Sequence, residues 1–117
     1  HNVLDNVQKV GKVLGEILED LKKKHACIGD VRYIGLFSAI ELVKDRETKE
    51  PIVAYGADTK GIMPSIIGEL KKKYFMTYSH ENMVLVAPPL IITEKQLREE
   101  MKKMDEVLSW VDKTYIK

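Results

Sequence analysis

Apolar residues at Val3, Val7, Val10, Leu14, Ile17 and Leu21 recur at alternating spacings of four and three. That is one stripe of an amphipathic helix, predicted over about residues 2–25. Gly11 and Gly15 interrupt it. Each lowers intrinsic helix propensity by roughly 1 kcal/mol relative to Ala, so the helix must rely on packing. The same glycines permit a neighbour to come close.

The pattern changes after Gly29-Asp30. The run from Val31 to Val43, VRYIGLFSAIELV, is rich in β-branched and aromatic residues. It predicts one long strand with a bend near Gly35, covered on at least one face because strict alternation fails. Lys44 to Pro51 is charged and ends in proline, a surface loop. Ile52 to Tyr55 is expected to be briefly extended, and Gly56 to Gly61 to be loop. A helix is expected over about Pro64 to Tyr74, with Pro64 in its first turn and Ile66, Ile67 and Leu70 inward. Short strands follow at Phe75 to Ser79 and Met83 to Ala87, joined by a turn over Ser79 to Asn82. Pro88-Pro89 ends the second, because neither residue can donate a ladder hydrogen bond. Thr93 and Gln96 form a capping box. It opens a last helix whose stripe is Leu97, Met101, Met104, Leu108, Val111 and Tyr115, with Trp110 off the stripe.

Two long helices, each with a single buried stripe, and about three strands cannot close a barrel. The predicted fold is α+β: a two-layer sandwich, its small, mostly antiparallel sheet carrying the helices on one face. The chain has 117 residues, which fits a single domain spanning 1–117. Lys plus Arg number 19, Asp plus Glu 18, and the net charge is +1. That balance supplies no field for nucleic acid or an anionic membrane. The basic clusters Lys22 to Lys24 and Lys71 to Lys73 fall at helix ends, where cations suit the dipole. No apolar run approaches the ~20 residues of a membrane span. The one cysteine, Cys27, suits a reducing cytoplasm and reads as a small buried hydrophobe. The chain does not begin with Met and is expected to be part of a longer one.

Catalytic motifs are missing. The glycines are dispersed, no nucleophile elbow occurs, and His25, Cys27 and His80 lack metal-ligand spacing. Glu41 lies inside an apolar strand and is expected to face outward from the open sheet face or an edge, or to make an interdomain contact. Arg32 can fork onto a carboxylate or carbonyls. His80, in the turn before MVLVA, can offer a polar tip to a substrate pocket.

Three stretches in order resemble one family. Gly29 to Asp45, GDVRYIGLFSAIELVKD, is similar to the G-D-V-R-G-x-G-L-F-x-x-x-E-L-V-K-D strand of class III aminotransferases, pyridoxal-phosphate enzymes of fold type I. Met83 to Thr93, MVLVAPPLIIT, resembles their V-x-x-A-P-P-L-x-I-T corner, and Glu94 to Leu108 resembles their last helix. The resemblance covers nearly the whole chain. It implies the small C-terminal domain of an enzyme that moves an amino group from an amine or amino acid to a 2-oxo acid. It further implies a cytoplasmic homodimer whose larger domain carries the Schiff-base lysine and binds pyridoxal phosphate. On this reading the chain has no catalytic or cofactor-binding residue and is inactive alone, and Arg32 and His80 are its candidate substrate-binding residues.

The sequence departs from the family at three places. Tyr33 stands for a usual Gly. Tyr74-Phe75 stands where a helix commonly ends in Gly, which puts a left-handed cap in doubt. Many relatives place an arginine for the substrate carboxylate in or just before the strand leading to the A-P-P corner, whereas here Leu85 occupies the in-strand position and Ser79-His80-Glu81 precedes the strand. The alternative is a free-standing α+β binding, regulatory or dimerisation module.

Overall fold

A computed structural model describes residues 2–53, 61–75 and 77–116. The elements run α1 (Val3–Lys24), β1 (Ile28–Ile34), β2 (Phe37–Asp45), β3 (Glu50–Pro51), α2 (Ile62–Lys72), β4 (Tyr78–His80), β5 (Met83–Val86) and α3 (Glu94–Tyr115). The main sheet has the order β1-β2-β5-β4, and β3 pairs beside β2. Every pairing is antiparallel. The α+β class therefore holds, with five strands where about three were expected.

The extra strands have physical causes. The run from Val31 to Val43 does not bend; it reverses. Gly35 takes φ 56°, and Ile34 pairs with Phe37 across a two-residue turn. Such turns select glycine because a Cβ penalises positive φ. The charged segment after Val43 is only partly loop. Strand β2 continues to Asp45, and Glu50 and Pro51 return to pair with it. Pairing over Phe75 to Ser79 is confined to Tyr78–His80. The expected extended piece at Ile52 to Tyr55 begins with Ile52 and Val53, both buried; residues 54–60 of that piece and the following loop lie outside the described residues.

All three helices pack on one side of the sheet. On that side lie Val31, Ile40, Val84 and Val86, with Ser38 buried among them. Helix α1 turns inward Val10, Leu14, Leu18 and Leu21. Leu18 was absent from the sequence stripe because the real contact band is displaced toward the two glycines. A Cβ on Gly11 would sit 2.6 Å from the Gly35 carbonyl oxygen, and one on Gly15 would sit 2.7 Å from the Tyr33 ring. The glycines thus let α1 touch the β1–β2 hairpin. Gly29 lies at a register shift in β1, where a Cβ would meet Val43 at 2.5 Å. Helix α3 buries Leu97, Met101, Met104, Val107, Leu108 and Val111. Trp110 is half-buried against this core and meets Tyr115 edge to face at 5.7 Å.

A buried polar clamp joins α1 to α3. His25 is 2% exposed. Its Nδ1 lies 2.7 Å from Asp112 and its Nε2 2.6 Å from Asp105. Each ring nitrogen thus lies within hydrogen-bond distance of a carboxylate, and a nitrogen that carries a proton donates to it. Asp112 also accepts the Cys27 amide at 2.9 Å, and Lys24 reaches Asp105 at 2.7 Å. From the other side Arg46 donates to the carbonyls of Lys22, His25 and Ile28. A loop arginine therefore closes the orphan carbonyls of a helix end.

Helix α2 ends in a full left-handed cap, made without glycine. Tyr74 has φ 61°, its amide bonds to Lys71, and the Phe75 amide bonds to Leu70. Leu70 and Phe75 are both buried, the apolar contact that accompanies this cap. The doubt raised by Tyr74 is resolved: the cap forms with a tyrosine in the left-handed region. The last helix begins as expected, with Thr93 and Gln96 bonded reciprocally.

Three outcomes follow. Left-handed backbone costs a β-carbon residue about 1–2 kcal/mol, so Tyr74→Gly should raise denaturant-derived unfolding free energy by about 1 kcal/mol. His25→Ala leaves two carboxylates facing a void and should lower that free energy by about 3 kcal/mol. Burial pushes the Asp105 carboxyl upward, but hydrogen bonds from Lys24 and His25 outweigh it and hold the group below the ordinary carboxylate range. A depressed folded value contributes stability above the unfolded value, near 4, and loses it as pH falls further. Asp105→Asn should therefore flatten the acid limb of the thermal midpoint against pH.

Candidate functional site

The side of the sheet away from the helices is open among the described residues. Register places its side chains in rows that cross the strands. One row runs Arg32, Ala39, Leu85, Tyr78, and the next runs Asp30, Glu41, Met83, His80. Ile34 and Phe37 complete the face at the hairpin end. Ile34 is 79% exposed, Tyr78 60% and Phe37 50%. Strand alternation requires this division, since one set of positions feeds the helix-covered core and the other cannot.

Both candidate residues lie on this face, at opposite edges. Arg32 belongs to edge strand β1 and His80 to edge strand β4, three strand spacings apart, about 14 Å. Arg32 donates to Glu41 at 3.2 Å and lies 3.8 Å from Asp30. Its partner is a neighbouring strand on the open face, which also places Glu41 outward. His80 is largely exposed, 3.8 Å from Glu81. Glu81 turns the β4–β5 hairpin with φ 56°, and Asn82 ties that turn to the Leu42 carbonyl at 2.9 Å. Sequence reading missed Tyr78 on the same face. Its signal was the pairing of β4 with β5, which puts it beside Leu85.

Ala39, Leu85 and Met83 make the middle of the face largely apolar, with Glu41 beside them, and Arg32 and His80 stand at its two edges. Such a surface can bind and orient. Cys27 is fully buried; burial, reinforced by Asp112, pushes its thiol well above the ordinary range, so it is no nucleophile. The described residues contain no group of three or more metal-ligating side chains.

The pyridoxal phosphate implied by the resemblance does not fit the described residues. Its carbonyl needs a lysine amine set in a pocket. No described lysine is buried. Several are committed elsewhere: Lys22 to Asp30, Lys24 to Asp105, Lys73 to Glu106 and Lys103 to Glu100. No described helix is long and apolar enough to cross a membrane.

Comparison with known proteins agrees with this geometry. Residues 1–108 match the family model for class-III aminotransferases. Ethanolamine-phosphate phospho-lyase homolog 1 of Caenorhabditis elegans is 38% identical over 96% of this chain and 23% of its own length. Taurine–pyruvate aminotransferase of Bilophila wadsworthia is 38% identical over 97% of this chain and 25% of its own. The crystal structure of taurine:2-oxoglutarate aminotransferase from Bifidobacterium kashiwanohense, in complex with PLP and glutamate, superposes with a TM-score of 0.93 at 40% identity. It is covered over 26% of its length by 98% of this chain. The chain thus spans about a quarter of the relatives it matches. By fold and by sequence, this chain belongs to the class-III aminotransferase family.

Proposed function

We propose that the chain serves as the small C-terminal domain of a pyridoxal-phosphate-dependent aminotransferase. The observation that carries this reading is the family match over residues 1–108 by a chain one quarter the length of its relatives. The whole enzyme would be a cytoplasmic homodimer. The cofactor and its lysine would belong to the larger part of the polypeptide. Pyridoxal phosphate there would supply the electron sink that lets an amino group leave a donor for a 2-oxo acid. This domain would contribute its open sheet face, closing one side of the pocket and selecting the donor's far end.

The donor class can be narrowed. Taurine and ethanolamine phosphate, named in relatives of this chain, share a primary amine on a two-carbon chain ending in a tetrahedral oxyanion. Leu85 weakens the case for an ordinary α-carboxylate donor. It lies mid-face, in the row between Ala39 and Tyr78, where the family resemblance places a carboxylate-binding arginine. Arg32 is held by Glu41, and His80 is the more accessible polar tip. We therefore assign Arg32 to shaping one edge of the pocket and His80 to meeting the anionic head.

The test is a donor screen on the full-length protein with pyruvate or 2-oxoglutarate as acceptor. Amine transfer from taurine-type donors should exceed that from ordinary α-amino acids. A hydrogen bond to a charged group is worth about 1.5–3 kcal/mol. His80→Ala should accordingly raise KM for the anionic donor about tenfold or more and leave kcat nearly unchanged. An unaltered KM removes His80 from the site. No transfer from any donor rejects the aminotransferase reading.

A further inference from the structure

The Pro88-Pro89 corner carries an apolar groove that the sheet face leaves unused. It is a hollow of about 310 Å³ between Tyr74, the proline pair and Met101 of α3. It continues through a second hollow at Ile91 and Thr93 into a third that ends at Asn2 and Val3. Adjoining hollows share Pro89 and then Ile91, which sets them in succession from the end of α2 to the start of α1. Large apolar side chains stand open along it. Ile91 is 68% exposed and Tyr74 87%.

Tyr74 is the informative residue. It holds a left-handed backbone conformation that glycine would adopt without strain, yet its ring buries almost nothing in this chain. Exposed tyrosines at the rim of apolar hollows are the usual anchors of interfaces. The corner is also rigidly tied to the point where the polypeptide enters. The Asn6 amide of α1 donates to the carbonyls of Leu90 at 2.7 Å and Ile92 at 3.0 Å. The groove and the start of α1 therefore form one body. Glu100, the charged residue of the first hollow, is paired with Lys103 at 2.9 Å, so this hollow suits an apolar occupant, whereas Asn2, Asp5, Asn6 and Lys9 give the far end a polar lining.

We propose that this groove is the docking surface for the part of the same polypeptide that leads into α1. The inference rests on the proposed function, since a chain one quarter the length of its relatives implies that most of the polypeptide lies outside it. Tyr74, Leu90 and Ile91 are all exposed at this corner, an apolar cluster of the kind that marks an interaction site.

The experiment uses the full-length protein carrying Ile91→Cys. Maleimide labelling of that cysteine is followed by peptide mass spectrometry, native and in urea. Native labelling should be at least about tenfold slower than unfolded labelling, as expected for a site that opens only transiently. Adding Tyr74→Gly should speed native labelling. Equal native and unfolded rates overturn the proposal, as does protection that disappears on dilution, which would mark a second copy as the occupant. Amine transfer by the unsubstituted full-length protein reports separately on the proposed function. Transfer with a freely labelled Cys at 91 removes the groove alone; protection without transfer removes the aminotransferase reading alone.

Discussion

The rest of the structure depends on a sheet that, among the described residues, is covered on one face only. Alternation along β1, β2 and β5 sends Val31, Ile40, Val84 and Val86 into the helical layer and leaves Arg32, Ala39, Leu85 and Tyr78 on the other side. Three helices must then share a single face. Their close packing explains why Gly11 lies against the Gly35 carbonyl. It also explains why His25, at the end of α1, is enclosed between two carboxylates of α3. The proline corner belongs to the same constraint. It stops β5 and sends α3 back over the covered face, with Asn6 of α1 holding the corner in place.

Much of this was legible in the residues. The two long helices follow from their four-three spacing, and the capping box at Thr93 is the one observed. What escaped was decided by contacts between distant segments. Gly35 reads equally as a bend or a reversal until Ile34 and Phe37 are seen to pair. His25 drew notice only for lacking metal-ligand spacing, because its partners, Asp105 and Asp112, lie about eighty residues on. Their spacing of seven along α3 put them on one face and was the available signal. Tyr74 shows the opposite lesson: a missing glycine did not abolish the cap, because burial of Leu70 and Phe75 outweighs a strain of about 1–2 kcal/mol.

The candidate site was only half legible. Arg32 and His80 do share a face, but as opposite edges of an apolar platform rather than as a pair. Arg32 already has Glu41 as its partner. Among the described residues no lysine is buried, and the chain spans about a quarter of its relatives' length.

The most direct test of this account is to load the full-length protein with pyridoxal phosphate, reduce it with borohydride and map the modified peptide. The account predicts one pyridoxyl-lysine, in the part of the polypeptide preceding His1. A stoichiometric adduct on any lysine between His1 and Lys117 would contradict it.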